Sequence, residues 1–168
     1  MAIRGFLYGD LIANPPPKRY SIGIIPHHTE VDCPIFSHIA QGIPNSVLID
    51  PHSDPMQSLQ TIAMRETILS SAMHGLIIAD GMGIPNKRLI ATNRLFETQN
   101  GKFEDYYSVY ELAHAPKALD IRDTLAYNWD STVKNILQDY YIPQDKVQKI
   151  KQQLLSCFPF SRMETTKG

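Results

Sequence analysis

The sequence predicts an α/β domain: a parallel sheet with right-handed crossovers and helices on both faces. Two observations carry this. Four short apolar runs, rich in β-branched residues and without strict alternation, suit strands buried on both faces. Helix-length segments separate them, and successive runs begin about 20–25 residues apart, the span of one βα unit with its loops.

The four runs are Ser21-Ile22-Gly23-Ile24-Ile25, Ser46-Val47-Leu48-Ile49, Glu66-Thr67-Ile68-Leu69 and Lys87-Arg88-Leu89-Ile90-Ala91. They end at Pro26, at Asp50-Pro51, at Ser70-Ser71 and at Thr92-Asn93. Helices are predicted over Pro34 to Gln41, Asp54 to Met64 and Met73 to Met82. Asp54 is a natural N-cap with Pro55 at the first helical position. Gly83 and Pro85 supply a stop signal after the third helix. Further helices are predicted over Phe103 to Leu112, Thr132 to Tyr140 and Gln144 to Phe158, the last two separated by Ile142-Pro143. Asn14-Pro15-Pro16-Pro17 can be neither helix nor central strand, because three ring-locked residues lack amide donors. Residues 1–20 are therefore expected as an extended lead-in, 21–160 as a single domain, and the polar stretch 161–168 as a disordered tail.

The chain of 168 residues is 43% hydrophobic and 20% charged, an ordinary globular balance that needs no disulfide or metal staple. A formal net charge of −1 offers no global field for nucleic acid or an anionic membrane, so neither partner is expected. The basic stretch Lys146 to Lys151 has the spacing of a solvated helix face. Cys33 and Cys157 form no CxxC pattern and are expected as reduced thiols. No apolar run reaches the ~18 residues of a membrane span, and no secretory segment follows Met1, so a cytoplasmic location is expected.

In an open parallel sheet, ligands bind outside the carboxyl ends of the strands. Those ends deliver Pro26-His27-His28, then Asp50-Pro51-His52-Ser53-Asp54, then Ser70-Ser71-Ala72-Met73-His74-Gly75, then Thr92-Asn93-Arg94. Four of the six histidines fall in these loops, all at one edge of the sheet. The third loop is the most informative. A buried strand runs into two hydroxyls and then into an apolar helix whose first turn has unpaired N–H groups, a setting suited to phosphate or carboxylate. Ser70 and Ser71 could add hydroxyl donors, Gly75 could admit close approach, and His74 could donate to an anion or move a proton. The equal alternative is that a serine caps the helix and His74 packs. His27 and His28 could hold or deprotonate an acceptor, with Asp50 orienting an imidazole; they could also be merely solvated. His27, His28, His52 and Asp54 lack the i, i+4 spacing of a zinc site, so no metal is expected. The Gly-rich phosphate loops and the GxSxG elbow are absent.

Three strings, with Gly9-Asp10 ahead of them, then carry a resemblance. They are Gly23-Ile24-Ile25-Pro26-His27-His28, the run from Ile68 through Ser70-Ser71-Ala72-Met73-His74-Gly75 and Ala79-Asp80 to Gly83-Ile84-Pro85, and Lys102-Phe103-Glu104-Asp105-Tyr106-Tyr107. In order and spacing, over roughly Gly9 to Tyr110, they resemble the polysaccharide pyruvyltransferase family. The resemblance implies a Rossmann-like domain, one of two that face a cleft as in a GT-B glycosyltransferase, here the second, C-terminal one. It implies transfer of a pyruvyl group from phosphoenolpyruvate to a sugar of a bacterial exopolysaccharide or cell-surface glycan, with phosphoenolpyruvate as donor substrate and no other cofactor. His74 is similar to a residue that contacts the donor.

On this reading the catalytic residues are His74, His27 and His28. Ser70, Ser71, Gly75, Asp50, Asn93 and Arg94 bind substrate. Two departures from the family stand out. Ala72 occupies a position where some members carry an arginine, so the clamp is missing or comes from elsewhere, with Arg94 the nearest replacement. Gly-Asp-Leu replaces Gly-Asp-Pro at Gly9. The family's first domain would need roughly a hundred or more further residues. A separate N-terminal Rossmann-like half, or self-association, is the partner this implies. The competing expectations are a non-catalytic anion-binding or oligomerisation half-domain and a glycosyltransferase-like half that binds a nucleotide sugar.

Overall fold

A computed structural model describes residues 11, 13–112, 116–123 and 127–157, with the backbone alone at Tyr20 and over 94–100. The strands are β1 (Tyr20–Ile25), β2 (Ser46–Leu48), β3 (Arg65–Ser70), β4 (Asn86–Ile90) and β5 (Leu119–Asp120). All pair in parallel in one sheet of order β2-β1-β3-β4-β5. The helices are α1 (Pro34–Gly42), α2 (Pro55–Ala63), α3 (Met73–Gly81), α4 (Asn93–Ser108), α5 (Trp129–Asp139) and α6 (Gln144–Ser156). This is a doubly wound α/β fold of Rossmann-like type.

Side chains alternate across the sheet and make two cores. Ile22, Ile24, Leu69 and Leu89 pack with Phe36 and Ile39 of α1 and Ile136 of α5. Ile25 and Ile68 pack on the other face with Ile62 of α2 and Ala79 of α3. A third cluster joins Leu76 of α3 to Phe103 and Tyr107 of α4 and Val147 of α6. α3 is thus covered on two sides, which explains why its sequence is apolar nearly all round. Its end follows the expected stop: Gly83 takes a left-handed φ of 67°, and the Ile84 N–H donates to the Ala79 carbonyl at 2.8 Å.

The four predicted strands and the first three helices lie within a few residues of the expected bounds. Two features depart from expectation. β5 was not expected; it is two residues long and is defined only by its pairing with Leu89 and Ile90 of β4. The helix expected from Phe103 begins instead at Asn93, because its first ten residues are polar apart from Leu95, Phe96 and Gly101, so no repeating apolar stripe marks them. In the lead-in, Lys18 Nζ donates to the carbonyls of Ala63 (3.0 Å) and Arg65 (2.6 Å), docking it on the start of β3. Residues 161–168 and Gly9-Asp10 lie outside the described residues.

Candidate active site

From β1 the chain crosses to β2 on one side, then returns past β1 to place β3 on the other. The reversal opens a crevice at the carboxyl ends of β1 and β3, the position where doubly wound sheets bind ligands. A cavity of about 590 Å³ occupies it. His27 and His28 line it from the end of β1, Asp50 from β2, Ala72, His74 and Gly75 from the start of α3, and Lys102 from α4. His74 is exposed on this cavity, not packed in the core. Ala72 is the N-cap of α3 and no side chain caps the helix, so the first-turn N–H groups sit uncapped at the cavity's edge.

The two serines do something other than expected. Ser70 is fully buried. Its Oγ accepts from the Ala72 N–H (3.0 Å) and lies within donating distance of the Ile25 and Ala72 carbonyls (3.0 and 2.8 Å). Ser71 Oγ accepts from the His27 N–H (2.8 Å) and donates to Glu30 Oε2 (2.7 Å). Neither hydroxyl is directed to the cavity; both lock the loops that shape it. Gly75 lines the cavity, but what approaches it is Ser70: a Cβ there would lie 2.6 Å from Ser70 Oγ.

The imidazoles of His27 and His28 face each other with ring centroids 4.2 Å apart. The Thr29 N–H donates to His27 Nδ1 at 3.3 Å, and Thr29 Oγ1 lies 2.9 Å from the same atom. A backbone N–H can only donate, so neutral His27 carries its proton on Nε2. Partial burial, then the neighbouring His28, lowers the His27 pKa; Lys102 and His74 push the same way, and Glu30 opposes them. At neutral pH His27 is therefore an Nε2–H donor, better suited to holding an oxygen than to removing a proton.

Asp50 pairs with His52, which does not line the cavity: its Oδ1 accepts from the His52 N–H (2.8 Å) and lies 3.2 Å from His52 Nδ1, with both side chains largely exposed. Asp54 caps α2 by accepting from the Gln57 N–H (3.0 Å). Asn93 is not brought to the cavity; its Oδ1 accepts from Arg122. The Arg94 side chain lies outside the described residues. Sequence reasoning missed Lys102 and Glu30 as site residues. Lys102 sits in the middle of a polar helix, and its one signal was its place at the head of the third resembling string. Glu30 is buried behind the His27 loop. Among the described residues no group of three His, Cys, Asp or Glu side chains could hold a metal ion, and no helix is long and apolar enough to cross a membrane.

Fold and site define a doubly wound parallel α/β domain with a cleft of imidazoles and one lysine at its switch point. Within that class, the chain belongs to the polysaccharide pyruvyl transferase family, whose model matches residues 3–86. The match contains the loops after β1, β2 and β3 and ends at the first residue of β4, short of Lys102. No curated protein and no solved structure matches the chain.

Proposed function

We propose that the cleft binds phosphoenolpyruvate and delivers its pyruvyl group to a sugar of a bacterial exopolysaccharide or cell-surface glycan in the cytoplasm. On this reading the chain corresponds to the second half of a GT-B-like enzyme. The observation that carries it is the placement of exposed His74 on the uncapped first turn of α3, across one cavity from His27, His28 and Lys102. The donor's phosphate and carboxylate need that density of N–H and ammonium donors.

The chemistry assigns the residues. An acid protonates the methylene carbon of the donor, and positive charge develops on the adjacent carbon. A sugar hydroxyl bonds to that carbon and gives its proton to a base. The carbon–oxygen bond to phosphate breaks and inorganic phosphate leaves. A second hydroxyl closes the ketal; of the two hydroxyl protons, one restores the acid and one leaves with phosphate. Lys102 and the α3 N–H groups hold the anion, taking the place of the arginine that Ala72 replaces. His27, with its proton on Nε2, polarises an oxygen. The proton transfers fall to His74 and His28.

Titration calorimetry with phosphoenolpyruvate tests this. His74→Ala is expected to weaken binding by about 1.5–3 kcal/mol, a hydrogen bond to a charged group. Unchanged binding would remove His74 from the site. A thermal-shift screen with phosphoenolpyruvate, nucleotide sugars and inorganic phosphate ranks the rival ligands through linkage. Stabilisation by nucleotide sugars alone would replace the proposal with a glycosyltransferase-like one.

A further inference from the structure

We propose that Glu30 is the positioning residue of this cleft: its buried carboxylate ties together the loops that follow β1, β3 and β4 and so fixes His27 against His74. The inference rests on the reading of the cleft given above.

Glu30 is 5% exposed, and both carboxylate oxygens are bonded. Oε2 accepts from Ser71 Oγ at 2.7 Å, and Oε1 accepts from Thr92 Oγ1 at 2.5 Å. Ser71 precedes α3 and its catalytic-face His74; Thr92 is the N-cap of α4, the helix that carries Lys102. The backbone of Glu30 closes the β1 loop on itself. Its N–H donates to the His27 carbonyl (2.7 Å) and its carbonyl accepts from the Cys33 N–H (2.9 Å). Ser71 Oγ in turn accepts from the His27 N–H at 2.8 Å. One carboxylate thus connects, through short hydrogen bonds, the loops after β1, β3 and β4, which carry or lead into the elements carrying His27, His28, His74 and Lys102, and it does not reach the β2 loop.

A buried carboxylate is costly unless its oxygens are bonded, and hydrogen bonds to a charged acceptor are the strong kind. The same arrangement made from a neutral group would be weaker and less directional. Gln at position 30 would be isosteric, but its amide nitrogen can only donate. One of the two hydroxyls, Ser71 Oγ or Thr92 Oγ1, would then meet a donor in place of its acceptor, and both arms would lose the charge that strengthens them. The loops would keep their contacts through apolar packing and lose their register. Groups placed about 1 Å off can cost a site two orders of magnitude, so a loss of tenfold or more in donor affinity is expected.

The experiment compares wild type, Glu30→Gln, Glu30→Asp and Thr92→Val. It uses calorimetric titration with phosphoenolpyruvate, a histidine side-chain NMR titration, and amide spectra. Glu30→Gln should weaken phosphoenolpyruvate at least tenfold, move the amide resonances of His27, Ser71 and His74, and shift the His27 midpoint down. The charged groups facing His27 are His28, His74, Lys102 and Glu30, and Glu30 alone raises it. Glu30→Asp keeps the charge but loses reach, so the His27 midpoint should stay near wild type while binding falls. Thr92→Val cuts one arm and should give an intermediate loss, which keeps the question decidable should Glu30→Gln fail to fold. A role limited to stability would lower the melting point while leaving binding, amide positions and the His27 titration unchanged; that result overturns the proposal. If wild type itself does not bind phosphoenolpyruvate, the donor assignment fails, and the NMR readouts still decide the role of Glu30.

Discussion

Gly75→Ala sets two principles against each other. Alanine is the better helix former, by up to about 1 kcal/mol in a helix interior, and it narrows the unfolded ensemble. By propensity alone the variant should be more stable. The packing says the opposite. An added Cβ would lie 2.6 Å from Ser70 Oγ, 3.1 Å from Ser70 Cβ and 3.0 Å from Ile25 Cδ1, inside the ~3.5–4.0 Å optimum for heavy atoms. Ile25 Cδ1 is the end of a flexible chain and can swing away. Ser70 cannot, because it sits fully buried in β3 with its hydroxyl held by the Ile25 and Ala72 backbone. The helix must move instead. Overpacking of this kind costs about 1–3 kcal/mol. After a propensity gain of up to about 1 kcal/mol, a net loss centred on about 1 kcal/mol (range about 0–2) remains, or roughly 2–4 °C in melting temperature at the centre for a domain of this size. Equilibrium urea unfolding measures it as a lower midpoint at unchanged slope. In a Ser70→Ala background, where the 2.6 Å contact is gone, Gly75→Ala should cost less, with a coupling of about 0.5 kcal/mol or more. Wild-type or higher stability of Gly75→Ala would show that the strand–helix contact is not the constraint described.

Asp80 and His27 should give pH effects of opposite sign. Burial raises the Asp80 pKa despite three hydrogen bonds. Its unfolded form gives up the proton first, so stability should decline as pH rises from near 4 through the raised folded value, and Asp80→Asn should flatten that slope in urea midpoints taken across the range. The His27 pKa is lowered from the ordinary value of 6.5. The unfolded chain binds that proton more readily, so wild type should lose stability relative to His27→Asn as pH falls below about 6.5; parallel pH profiles of the two proteins would refute this.

Most of the sheet was legible because its strands are continuous apolar runs bounded by Pro, Asp and Ser. β5 was not, since two residues hold no pattern and only the register of Leu89 and Ile90 creates it. Local sequence marked three loops that line the cavity, those after β1, β2 and β3, but not the direction of their side chains. Ser70 and Ser71 read as donors to a ligand because hydroxyls before a helix are often that. Apart from the Ala72 backbone, their partners across the site are distant in the chain: Ile25 lies 45 residues from Ser70, and Glu30 lies 41 from Ser71. Lys102 was hidden for the same reason, since nothing local reveals that a polar helix returns across the mouth of a cleft.

α3 explains why such a cleft can act as a fixed target. At its start, Gly75 rests on Ser70, and Ser70 is bonded to the end of β1. At its end, Asp80 is fully buried and accepts from Asn86 Nδ2 (2.6 Å), Tyr106 OH (2.7 Å) and Tyr140 OH (3.0 Å), which reach it from β4, α4 and the end of α5. Between them Leu76 and Ala79 are fully buried in two different cores. A helix held at both ends and along two sides cannot tilt without breaking several contacts together. The start of the helix, with its uncapped first turn and His74, is therefore held at the cavity before any ligand arrives, which is the preorganisation that electrostatic stabilisation of a developing charge requires. The buried carboxylates at the two ends have different tasks. Asp80 anchors the helix to the body of the domain, and Glu30 sets the loops around its tip.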